Sequence, residues 1–126
     1  MSTTTYNTGN RTFQATAVAI EAYALVTLDS SGTIAASGDN ATEQIIGAVT
    51  EDVAASAYGS VQMLNRGGTI QLIAGGNTIA VAATVYIDGS GKVGTDTSNT
   101  KIGVALKAST TDGDVIEVIP LQQFTA

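Results

Sequence analysis

An all-β fold, a small duplicated β-sandwich or β-barrel-like domain with an extended N-terminal arm, is expected of this chain of 126 residues. One observation is internal repetition. Val26-Thr27-Leu28-Asp29-Ser30-Ser31-Gly32-Thr33-Ile34 returns as Val85-Tyr86-Ile87-Asp88-Gly89-Ser90-Gly91-Lys92-Val93 at a spacing of 59. Ile46-Gly47-Ala48-Val49 is answered by Ile102-Gly103-Val104-Ala105 at 56, and Tyr58-Gly59-Ser60-Val61 by Asp112-Gly113-Asp114-Val115 at 54. Apolar, Asp and Gly positions stay in step while loop lengths drift, which is how a duplicated strand-turn-strand unit reads. The second observation is a succession of short apolar runs broken by Gly, Asp, Asn and Ser, the punctuation of an all-β sandwich or barrel.

Taken in order, residues 1–16 are rich in Thr, Asn and Ser and show no periodicity, so they are expected to form an extended arm. Residues 17–126 then make a single β-domain of two related halves, about 18–64 and 79–121, sharing one hydrophobic interior, since each half alone is too small for a secure core. Strands are expected over Leu25 to Leu28, Ile45 to Val49, Val61 to Leu64, Thr69 to Ile73, Thr84 to Ile87, Ile102 to Leu106 and Val115 to Ile119. Each copy of the repeat reads as strand, Asp/Gly turn, strand. Gly67-Gly68 and Gly75-Gly76 bracket the run that joins the two copies, with Ile70 and Leu72 on one face. Glu51 to Tyr58 is the only helical candidate, and it also reads as a loop. Pro120 falls just after the last strand, where a missing amide donor does no harm.

Composition narrows the chemistry. Leu, Ile, Val and Phe supply 30 of the 126 residues, more than a disordered chain carries. With no Cys and no His, thiol nucleophiles, disulfides, imidazole bases, haem and ordinary zinc ligation are excluded, and no enzyme activity or cofactor is expected. Five basic against eleven acidic residues give a net charge of -6, which leaves little for a phosphate-neutralising mode of nucleic-acid binding. No apolar run approaches the length of a membrane span. Met1-Ser2-Thr3-Thr4-Thr5 lacks the basic and apolar regions of a signal peptide, so synthesis in the cytoplasm and no export through the general pathway are expected.

Gly89-Ser90-Gly91-Lys92-Val93-Gly94 matches G-x-G-x-x-G literally. A dinucleotide site needs the third glycine to open a helix facing the pyrophosphate, whereas Thr95-Asp96-Thr97-Ser98-Asn99-Thr100 is no helix. The first copy, Ser30-Ser31-Gly32-Thr33, lacks the glycine pattern at the same turn, so a hairpin is expected. Asp29, Asp88, Asp112 and Asp114 stand at Gly-containing turns, where a carboxylate caps its own backbone. Their spacing does not make a calcium loop. Lys92, Lys101 and Lys107 are scattered and are expected on solvated surface.

The second copy as a whole resembles a known family. Ala83-Thr84-Val85-Tyr86-Ile87-Asp88, Gly91-Lys92-Val93, Asn99-Thr100-Lys101-Ile102-Gly103-Val104-Ala105 and Gly113-Asp114-Val115-Ile116-Glu117-Val118 are similar to the closing half of the phage capsid cement, or head decoration, proteins. Ile46-Gly47-Ala48-Val49 and Gly68-Thr69-Ile70-Gln71-Leu72 fit the family's first half, and the resemblance covers roughly residues 18–121. It implies a β-rich structural virion protein, a homotrimer that binds the major capsid protein on the outer surface of the head. Some relatives carry a recombinase label, which the missing P-loop argues against here. The alternative is a ligand- or carbohydrate-binding β-module of a tail fibre or surface protein. Sugar sites want exposed aromatics, and this chain has no Trp and six Tyr and Phe together. Tyr6 and Phe13 in the arm and Phe124 beyond the last strand are the candidate capsid or intersubunit contacts. Deleting residues 2–14 is expected to leave the β-domain folded.

Overall fold

The computed structural model describes residues 10–38, 44–64, 67–76 and 78–121. Ten strands form among them: β1 (Asn10–Ala15), β2 (Leu25–Leu28), β3 (Thr33–Ala36), β4 (Gln44–Val49), β5 (Tyr58–Met63), β6 (Ile70–Ile73), β7 (Thr84–Ile87), β8 (Val93–Gly94), β9 (Lys101–Ala105) and β10 (Val115–Pro120). No described residue is in an α-helix, and the fold is all-β. Alternation of buried and outward residues drives this choice: Thr84-Val85-Tyr86-Ile87 and Val115-Ile116-Glu117-Val118 each bury every second side chain.

The first five strands close into a barrel in the order β1-β3-β2-β4-β5, and the last five make a sheet in the order β6-β10-β9-β7-β8. The pairings repeat. Antiparallel β2–β3, β2–β4, β4–β5 and β1–β5 are answered by β7–β8, β7–β9, β9–β10 and β6–β10. The parallel β1–β3 contact at Ala15 and Ile34 returns as a lone parallel bridge, Ala74 to Val93. A bulge between Val26 and Thr27 returns between Val85 and Tyr86. Gly47 and Gly103 sit beside these bulges, and a Cβ on either would overlap the backbone oxygen of Gln62 or Ile119.

Several expectations change at this level. Residues 10–15, expected within the arm, are barrel strand β1, held by β5 along its length and by β3 at its end. The pairing repeat accordingly starts at β1 and β6 and not near residues 18 and 79. Of the two readings of the segment before β5, the loop holds over residues 51–57: Val53 and Ile20 exchange backbone hydrogen bonds at 2.9 and 2.8 Å, and Ala57 N closes a turn on Ala54 O. Pro120 is the final residue of β10, opposite Gly103.

The expected single interior is two. One cluster fills the barrel with Phe13, Ala15, Ile20, Val26, Ile34, Val49, Val53 and Val61; the other lines the second sheet with Ile70, Leu72, Ile79, Val85, Ile87, Val93, Ile102, Ile116 and Val118. They interlock. Leu25 and Ala48 are carried by barrel strands yet belong to the second cluster, while Ile73 of β6 belongs to the first. The outside of the barrel at β2 and β4 thus covers the core of the open sheet. Backbone bonds tie the same seam: Leu25 N donates to Gly91 O and Gly91 N to Ser37 O, both at 2.8 Å, and Ile73 N donates to Tyr23 O at 3.0 Å.

Candidate functional site

Asp29 and Asp114 cap their own turns. Asp29 Oδ1 accepts the amides of Ser31 and Thr33 at 2.9 and 3.0 Å, and Oδ2 accepts the Thr33 hydroxyl at 2.6 Å. The Thr33 hydroxyl, then its amide, hold the Asp29 carboxyl below its ordinary value. Asp114 is lowered in the same sense, first by the amides of Thr110 and Thr111. Asp112 departs from the expectation of self-capping and forms a 3.1 Å ion pair with Lys92, a surface pair of small energetic weight. Among the described residues no three Cys, His, Asp or Glu side chains gather as a metal site would require.

Gly89 to Gly94 is the β7–β8 hairpin, with Asp88 N donating to Lys92 O at 2.7 Å and Tyr86 opposite Gly94. Gly91 adopts φ 75° and lies so close to the barrel that a Cβ would come within 2.7 Å of both Ala24 Cβ and Leu25 O. The glycines of this apparent nucleotide motif are therefore explained by a turn and a close backbone approach.

Of the aromatic contact candidates, Tyr6 and Phe124 lie outside the described residues. Phe13 is 9% exposed and fills the barrel interior, with the Arg11 guanidinium 5.1 Å from its ring centroid. The described surface offers apolar material elsewhere. An open groove of about 240 Å³ at the ends of β4 and β5 is lined by Gln44, Ile45, Ile46, Met63 and Leu64.

Apolar side chains are also exposed on the outer face of β9 and β10. Val104 stands opposite Ile119 in the strand register, and Ile119, between buried Val118 and half-buried Pro120, is 41% exposed. Beside them Leu106, whose amide donates to Glu117 O, is 40% exposed. Val81 at 60% sits in the turn whose next residue, Ala82, donates to Ala105 O. Soluble surfaces scatter single apolar residues, whereas large contiguous apolar patches are the usual character of interaction surfaces. The sequence signal of this face was the alternation through Ile116-Glu117-Val118-Ile119, which assigns Ile119 to the side of exposed Glu117.

No curated protein matches the chain significantly. The head fiber gp8.5 N base of bacteriophage phi29 has a similar fold, with a TM-score of 0.70 at 20% identity, over 89% of this chain and 94% of that one. The family model of the phage cement proteins matches residues 8–120 and so takes in both sheets. On the strength of that match, the chain belongs to the phage cement protein family.

Proposed function

We propose that this protein is a non-enzymatic cement of the phage head, acting as a homotrimer on the outer surface of the shell built by the major capsid protein. The observation that carries the reading is the cement-family match across both sheets. A structural role in the phage head follows from the family; the capsid partner, the outer surface and the trimeric state are the finer part of the proposal. The physical advantage of such an arrangement is multivalency. Weak contacts from each subunit, engaged together on neighbouring capsomers, raise the apparent affinity by about 10²–10⁴ without any new contact. Tyr6 and Phe124 are the proposed aromatic contacts of the two chain ends. Phe13 would act differently, by mooring the N-terminal segment in the barrel core.

Cosedimentation tests this. Expanded heads lacking the protein are mixed with the purified chain, and bound protein is counted against the major capsid protein. Saturation at a copy number near that of the shell subunit is expected. Failure to bind, or saturation at a few copies per particle, would favour a fibre or tail module instead.

A further inference from the structure

We propose that the exposed face of β7, β9 and β10 receives the Asp29–Gly32 turn of a second copy of this chain, so that copies join head to tail. The proposal rests on the homo-oligomeric reading above and names the contact that builds it. Its basis is the seam between the two halves, which is used in one direction only. The Asp88–Lys92 turn seats on Ala24 and Leu25 of the barrel, through the Leu25 N to Gly91 O bond and the close approach of Gly91 to Ala24. At the repeat spacing, the equivalent turn is Asp29–Thr33 and the equivalent seat is Ala83–Thr84. No bond joins Thr84 to Gly32 within the chain, Ser30, Ser31 and Gly32 are exposed, and nothing lies within 4 Å of a Cβ built on Gly32. Among the described residues, one turn and one seat are left without a counterpart.

The sheet face repeats this asymmetry. Leu25 and Ala48 point out of the barrel and are 0% and 1% exposed because the second sheet covers them. Their equivalents, Thr84 and Val104, face one another across β7 and β9 and stay half-buried, with Ile119, Leu106 and Val81 open around them. The uncovered face is thus the counterpart of one that already serves as an interface in this molecule. A second copy is the occupant that carries the matching turn. Such a contact is heterologous: turn and seat are different surfaces, so repeated contacts form a ring when the rotation closes.

The absence of cysteine makes the test direct. Ser31→Cys and Val81→Cys are placed singly in separate chains and together in one, and treated with a short bis-maleimide. Both positions are exposed, and circular dichroism checks that each variant keeps its β-spectrum. The expected result is crosslinking when the two single variants are co-expressed, a ladder ending at a closed ring for the double variant, and no crosslink for either single variant alone. Ile119→Glu, which puts a charge on this face, should weaken self-association at least tenfold. Efficient crosslinking of a single variant with itself, or an oligomer that neither crosslinks 31 to 81 nor responds to Ile119→Glu, would overturn this contact while leaving homo-oligomerisation standing. A chain that sediments as a monomer up to millimolar concentration would overturn both.

Discussion

Gly91 and Gly32 hold the same place in the two Asp/Gly turns, at φ 75° and 82°, but meet different surroundings. A side chain in the left-handed region costs roughly 1–2 kcal/mol at either position. At Gly91 it must also displace Ala24 and the Leu25 carbonyl, and overpacking of this kind costs about 1–3 kcal/mol more. Gly91→Ala should therefore lose about 1–3 kcal/mol beyond Gly32→Ala in urea unfolding at unchanged slope. Equal losses would mean that the second turn does not bear on the barrel. The two glycines and their Asp partners were legible in the sequence from the spacing of 59. Their inequality was not, because it depends on Ala24, which lies 67 residues before Gly91 and carries no mark of its own. Asp112 was misread for a similar reason: its partner Lys92 is 20 positions away and answers to charge, not to turn chemistry.

Strand β1 shows how an element hides. Asn10, Arg11 and Thr12 are exposed, and only Phe13 and Ala15 point into the core, so the strand carries two apolar residues in a Thr- and Asn-rich context. Its counterpart β6 reads plainly as Ile70-Gln71-Leu72-Ile73, because it covers the core of an open sheet. The segment Glu51 to Tyr58 read both ways in the sequence, as a helix or as a loop. Its alanines suit a helix, but Val53 is drawn into pairing with Ile20, as Ser109 is with Ile79 in the second half, and tertiary pairing overrides propensity. These corrections alter the expected truncation result. Removing residues 2–8 spares β1, so the urea midpoint should stay near that of the full chain while attachment to heads weakens if Tyr6 is a contact. Removing residues 2–14 takes Phe13 and the pairing with β5, opens the barrel and exposes the edges of β3 and β5. That chain should unfold at much lower urea or aggregate. Equal stability of the two truncations would show β1 to be dispensable, as an arm would be.

At the scale of the whole molecule the question is whether two sheets with two cores behave as one body. Sequence repetition alone suggested a shared interior, and the structure replaces it with an exchange: Leu25 and Ala48 leave the barrel for the second core, and Ile73 leaves the second sheet for the first. A load applied to one sheet is then resisted by side chains rooted in the other, which suits a protein proposed to brace a shell against outward pressure. The expected consequence is a single cooperative transition in scanning calorimetry, with calorimetric and van't Hoff enthalpies in agreement once protein concentration is held fixed. Leu25 is fully buried on the seam, so Leu25→Ala should cost about 2–5 kcal/mol. Because Leu25 is carried by the barrel and packs in the second core, the variant should lower the one transition and not split off a second. Two separate transitions in the parent chain, with Leu25→Ala shifting only one of them, would identify the barrel and the open sheet as independent units and remove the mechanical coupling between them.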